Sequence, residues 1–302
     1  MTIAKIALLP DRGVVHVTGD DAEKFLQGLV TSDVAGPAAV QPKTVPVAVH
    51  AGLLSPQGKV LFEFLVVGLG EGLLLETARD RIPDLIKRLG MYKLRAKVAI
   101  EDASNDLAVL AVWDGRLSSG FNATHFNDPR LPALGVRWLV PRSMLERLID
   151  GQVQAGAARR ASENEYHAHR IALGVPEGGK DYAFGETFPH EANFDLLDGV
   201  SFTKGCFVGQ EVVSRMQNRG TARKRIVIVE GDSPLPPDDE VMAGDATLGN
   251  IGSVAGNRAL ALVRLDRAEE ARNKGEHLTV GGRPITLRLP EYLKSAQPAG
   301  AP

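Results

Sequence analysis

Lys204-Gly205-Cys206-Phe207-Val208-Gly209-Gln210-Glu211 holds the only cysteine of the 302-residue chain. A thiol acts as its thiolate, and thiolates form near positive charge and helix N-termini. Lys204 stands two residues before the sulfur, and Gly205 removes side-chain bulk beside it. After Gly209, the run Gln210-Glu211-Val212-Val213-Ser214-Arg215-Met216 reads as a helix with an acid in its first turn. Most lone cysteines are small buried hydrophobes, so the residues themselves leave a reactive and a structural reading open.

Outward from this stretch, the pattern is one of hairpins mixed with helices. Val14–Val17 reads as a strand, and Asp20 with Glu23 as a capping-box helix start leading to Phe25, Leu26 and Leu29. Pro37, Pro42 and Pro46 punctuate a loop. Val47–Ala51 and Lys59–Val67 read as strands joined by the turn Ser55-Pro56-Gln57-Gly58. A strand at Leu73–Thr77 and a helix from about Arg81 to Gly90 follow. Strands at Leu107–Trp113 and Gly135–Val140, and helices near Arg142–Ile149 and Ser162–Leu173, complete a second block. From Arg225 to Leu287, short strands and Gly-rich turns predict a small antiparallel barrel. The class expected is α+β with antiparallel sheets. The domains expected are 1–220 as two intertwined subdomains, 221–290 as the barrel, and 291–302 as a disordered tail.

Composition narrows the function classes. Hydrophobic residues make up 44% and charged residues 24%, the proportions of a soluble protein. A formal net charge of −2 supplies no global field toward nucleic acid or membrane. One cysteine excludes an internal disulfide and a self-contained iron–sulfur cluster, and suits a reducing compartment. Met1–Lys5 lacks the apolar core of a signal peptide, and no apolar run is long enough to span a bilayer. A cytoplasmic protein is expected. His167 and His169 lie two positions apart on a predicted helix and point to different sides, so no metal site is expected there.

The octapeptide resembles, at every position, the K-G-C-[aromatic]-x-G-Q-E signature of the YgfZ family, folate-binding relatives of the glycine cleavage T-protein. Phe25-Leu26-Gln27 with Thr31-Ser32-Asp33-Val34 is similar to that family's N-terminal element. Ser55–Lys59 is similar to its S-P-Q-G-K hairpin, Arg170, Gly174 and Pro176 to its R…G-[IV]-P, and Pro189 with Asn193 to its P…E…N segment. The resemblance implies a multi-domain GcvT-like fold with a C-terminal barrel and a cavity for tetrahydrofolate or a related reduced folate. It implies Glu191 and Asn193 as pterin partners, Arg170 and Arg215 as cations for the glutamate tail, and Gln210 as a further contact. Aminomethyltransferases carry an Asp-Asp pair where this chain has Phe62-Glu63. That departure counts against retained aminomethyl transfer, and Glu63 also reads as a charge on the wet face of a strand.

Three functions compete. The first, implied by the resemblance, is a folate-binding accessory factor for assembly or repair of iron–sulfur proteins, tRNA-modifying enzymes included. Cys206 is its working thiol, helped by Lys204, and its partners are iron–sulfur assembly proteins or cluster-dependent enzymes. The second is a tetrahydrofolate-dependent aminomethyl or one-carbon transferase with Glu63 as its carboxylate. The third is direct action on RNA through Lys204, Arg215, Arg219, Arg223, Lys224 and Arg225. A solvated helix face explains that cluster better, and no interleaved aromatics accompany it.

Overall fold

A computed structural model describes residues 3–39, 46–70, 72–117, 123–220 and 222–296. Along the chain come β1 (Ala4–Leu8), β2 (Arg12–Thr18), α1 (Ala22–Gln27), α2 (Ala35–Ala38), β3 (Ala48–Leu54), β4 (Val60–Gly68), β5 (Leu73–Ala78) and α3 (Ile82–Lys93). Then follow β6 (Ala99–Asp102), β7 (Leu107–Trp113), β8 (Thr124–Asn127), β9 (Val136–Pro141), α4 (Leu145–Gln154), β10 (Ala158–Arg160), α5 (Glu163–Leu173) and α6 (Gln210–Arg219). The last part holds β11 (Lys224–Gly231), β12 (Glu240–Ala243), β13 (Ala246–Ala255), β14 (Arg258–Arg264), α7 (Leu265–Asn273), β15 (Leu278–Val280), β16 (Arg283–Arg288) and α8 (Glu291–Ala296).

Two compact units result, and the chain passes between them more than once. The first unit gathers Met1–Leu54, Leu61–Tyr166 and Asp198–Val208; the second gathers Ser55–Val60, His167–Leu197 and Gly209–Pro302. The thiol-bearing stretch 198–208 therefore belongs to the first unit, although the helix after it belongs to the second.

The first unit holds two five-stranded sheets, ordered β10-β1-β7-β9-β8 and β3-β4-β5-β2-β6. Only β1 with β10 is parallel among the registers assigned. Strand alternation sorts the side chains. Leu65, Val67 and Val14 join Val109, Trp113 and Leu139 in a layer shared by the two sheets. Phe64, Val66 and Val15 face the other way, toward Leu26 of α1 and Leu85 and Leu89 of α3. Because β4 is buried on both faces, it reads as a continuous apolar run.

The second unit is built on a closed barrel, β11-β14-β13-β12-β15-β16. Val227, Val229, Leu248, Ala261 and Val280 fill its core.

Several expectations change. Asp20 and Glu23 form no capping box: α1 starts after Asp21 without a side-chain cap, and the Asp21 carboxylate instead accepts from Lys97 N at 2.7 Å. Pro37, read as loop punctuation, sits in α2; Pro42 lies outside the described residues. Residue 291 does not begin a disordered tail. Residues 291–296 form α8, because Leu293 packs into the barrel cluster and the Tyr292 hydroxyl donates to Gly174 O at 2.6 Å. Residues 297–302 lie outside the described residues.

Candidate functional site

Two sequence motifs far apart in the chain meet in the first unit. Thr31 Oγ1 donates to Gly199 O at 2.5 Å and accepts from Gly52 N at 2.8 Å. Ser201 N donates to Thr31 O at 2.9 Å, and Ser32 Oγ donates to His50 O at 2.5 Å. Lys204 completes the seam. Its Nζ donates to Val30 O and Ser32 O, each at 2.8 Å, and lies 5.6 Å from the Phe207 ring centroid. Phe207 is buried and Val208 packs on the first unit's helix-side core. Cys206 lies exposed between these anchors.

This geometry reassigns Lys204. Its ammonium serves backbone carbonyls and so positions the loop. Burial pulls its pKa down to about 8, against the opposing pull of Asp33. Asp33 is itself held by Gln27 Nε2 at 3.1 Å and caps Ala35 N at 2.9 Å. Thr31 and Ser32 are site residues that reading the sequence for chemistry passed over. Their signal was present as the Thr-Ser-Asp-Val element, but short hydroxyls carry no mark of which distant carbonyl they will meet.

Gly205 is exposed, and a Cβ built there would meet nothing within 4 Å. The space beside the thiol is thus open. The chain turns through Gly209 (φ 82°) into α6, which begins four residues after Cys206. Gln210 opens that helix half-buried, and Arg215 pairs with Glu211 at 2.7 Å across one exposed turn.

Glu63 does not sit on a wet strand face. It is 6% exposed in the layer between the two sheets, with His50 Nε2 at 3.1 Å and Arg130 Nη1 at 3.9 Å. The same layer holds Arg130 bidentate on Asp128 (3.0 and 2.8 Å), Arg137 Nε 3.3 Å from Asp128, and Arg12 Nε on Glu76 at 2.6 Å. Arg137 also donates to the Tyr166 hydroxyl. Arg12, Arg130 and Arg137 balance Glu63, Glu76 and Asp128. Burial would raise the Asp128 carboxyl, but the Arg130 guanidinium overrides it and holds the group down at about 2. Phe62 points to the opposite, helix-covered face, where it is buried in the apolar core. The pair Phe62-Glu63 is therefore divided between two layers.

In the second unit, Arg170 is wholly buried. Its Nη1 donates to Asp181 at 2.6 Å, its Nη2 to Ser253 Oγ at 2.6 Å, and its Nε to His167 Nδ1 at 3.0 Å. It ties α5 to the barrel strand β13 and offers no charge to a folate tail. Asn193, also wholly buried, donates to Ile226 O at 2.9 Å and to the Tyr292 hydroxyl at 3.1 Å. Its left-handed backbone (φ 62°) is one that Asn tolerates. Glu191 accepts from Phe188 N at 2.9 Å and closes a turn. The Arg170 assignment for folate is thereby corrected, since its guanidinium holds the second unit together; Asn193 commits its Nδ2 to the same unit. Arg225 leaves the basic cluster, since it pairs bidentately with Asp195 (2.6 and 2.9 Å). The Arg219 side chain lies outside the described residues.

A family profile described as CAF17, C-terminal beta-barrel domain, matches residues 223–295. The structure resembles the glycine cleavage system aminomethyltransferase T from Bartonella henselae, with a TM-score of 0.75 and 13% identity over 95% of this chain and 85% of that one. At that identity the likeness shows the fold alone. The human iron–sulfur cluster assembly factor IBA57, mitochondrial, is 34% identical over 281 residues, 84% of this chain and 76% of the human one.

The chain belongs to the IBA57 family. IBA57 homologs of Mycosarcoma maydis (36% identical over 232 residues) and Neurospora crassa (32% over 261) are matched over 74% and 78% of this chain. Each match spans 56% of the fungal protein, so the chain covers little more than half the length of these relatives. The family shown is IBA57 on an aminomethyltransferase-like fold, where the sequence motifs suggested YgfZ. The expected cytoplasmic placement is overturned, because the IBA57 relatives are mitochondrial proteins. A single thiol is at home in any reducing compartment and does not distinguish between them.

Proposed function

We propose that this chain is an accessory factor in the assembly of iron–sulfur proteins, and that Cys206 is the residue through which it acts. The observation that carries the reading is an exposed, unique thiol on a loop pinned on both sides, in a chain whose IBA57 relatives are iron–sulfur cluster assembly factors. A cluster in transit is substrate here, and one thiolate holds one coordination position. The remaining ligands come from a partner protein that carries the cluster. Lys204, Thr31 and Ser32 fix the loop; Gly205 leaves room for the partner to approach the sulfur. Clients of such a factor are cluster-dependent enzymes, with tRNA-modifying ones among them.

Folate forms no step in this proposal. Arg170 is spent inside the second unit, Asn193 commits its Nδ2 to Ile226 O and Tyr292, and Glu63 lies within a buried charge layer. The aminomethyl-transfer reading loses its carboxylate on the same ground.

Deleting the gene and assaying [4Fe–4S] enzymes that do not touch RNA tests the proposal. Reduced activity with normal amounts of the enzyme polypeptides is expected. Full activity of those enzymes, with a defect confined to RNA modification, would favour action on RNA instead.

A further inference from the structure

The C-terminal end of α3 carries a surface that the iron–sulfur reading does not use. Its inward stripe is Ile82, Leu85 and Leu89, all buried. The outward face should then be polar, yet Met91 is 65% exposed and Leu94 90% exposed. Leu94 ends the helix at φ 42° and ψ −106°, a conformation that costs a non-glycine residue free energy. A large apolar side chain is thus held out into solvent from a strained backbone.

Cations flank these two side chains in the sequence. Lys87, Arg88, Lys93 and Arg95 make no ion pair among the described residues, and residues 87–97 contain no carboxylate. Lys97 is set apart, because Asp20 lies 3.6 Å from its Nζ and Asp21 holds its amide. The near-neutral total of the chain conceals this local excess of positive charge.

We propose that this end of α3 docks on an anionic phospholipid surface, with Met91 and Leu94 entering the headgroup region and the four cations meeting lipid phosphates. Projecting apolar side chains within a basic rim combine the two attractions that peripheral membrane binding needs. An RNA backbone gains nothing from Leu94, and no exposed aromatic stands here to stack on bases. Protein interfaces are depleted in lysine, whereas two of the four free cations are lysines. The contact is peripheral, since no helix among the described residues is long and apolar enough to cross a membrane. The proposal stands independently of Cys206.

Co-sedimentation of the whole chain with phosphatidylcholine vesicles, with and without phosphatidylglycerol, tests it. Binding to the anionic vesicles and not to the neutral ones is expected, lost at about 1 M salt, where screening is nearly complete. Lys87→Glu with Arg95→Glu should lower the partition coefficient at least about tenfold. Leu94→Gly, which relieves the backbone, should lower it several-fold while the thermal transition is kept or raised. No binding to anionic vesicles overturns the proposal, as does binding that both variants leave unchanged. Displacement from vesicles by short RNA, with Leu94→Gly without effect, makes the patch a polyanion site. Sedimentation without vesicles that depends on protein concentration makes it a self-association surface. Either result also removes the membrane assignment.

Discussion

Lys204 donates from Nζ to the carbonyl of Ser32 at 2.8 Å, across 172 positions of sequence, and so binds the cysteine loop to the turn after α1. The same ammonium reaches Val30 O at 2.8 Å. Lys204→Met removes both hydrogen bonds and leaves two carbonyls short of a donor. A loss of about 2 kcal/mol in urea unfolding is expected. The rate of Cys206 alkylation in the native protein should stay within about threefold, because the ammonium serves the loop and not the sulfur. A collapse of that rate, with stability unchanged, would restore Lys204 to the chemistry.

The Lys204 ammonium also sets a pH dependence. Burial lowers its pKa from 10.5 in the unfolded chain to about 8 in the fold. Between those values the unfolded state holds a proton that the native state has released, so stability rises with pH across that window. Below pH 8 both states are protonated and the contribution is constant. The wild-type chain should therefore gain on Lys204→Met between about pH 8 and 10.5 in parallel denaturation series. Parallel curves across the window would contradict the assignment.

Asp128 is the anchor of the buried charge layer. Its carboxyl, held at about 2 against 3.8 when free, contributes stability above that free value and loses it as pH falls toward 2. Asp128→Asn leaves the Arg130 and Arg137 guanidinium groups buried with one fewer counter-charge, and should cost about 3–5 kcal/mol at neutral pH. Urea unfolding measures this directly. A change below about 1 kcal/mol would mean that water reaches the layer.

The fold was legible where periodicity is strong. The doubly buried run Lys59–Val67, the Ser55–Gly58 turn and the strand pattern after Arg225 all led to the elements observed. What escaped was whatever depends on a distant partner. Asp21 could not be read as the acceptor for Lys97 N, nor Thr31 as the seat of Gly199, because the sequence gives no register for such pairs. The charged residues misled in the opposite direction. Glu63 and Arg170 resemble ligand groups in sequence, and burial with opposite charges makes each of them structural. Cys206 was legible as a candidate because it is unique, and it is exposed.

Arg170 and Asn193 offer a separate check on the folate assignments. Substituting either, as Arg170→Met or Asn193→Ala, should lower the stability of the barrel unit by about 2–4 kcal/mol. Calorimetry with tetrahydrofolate on the wild-type chain and on each variant is the measurement. If the wild type binds and the variants lose that binding while unfolding normally, the two side chains are ligand groups after all.

The central claim is that Cys206 is the working residue in iron–sulfur assembly. Ser differs from Cys by one atom, and Cys206 is exposed, so Cys206→Ser should fold as the wild type does. The decisive measurement is the activity of [4Fe–4S] enzymes that do not touch RNA, in cells whose only copy of this protein carries Cys206→Ser. Loss of activity to the level of the gene deletion, with the variant present and folded, is the result predicted. Wild-type activity in those cells, with the same amount of folded variant, would contradict the account.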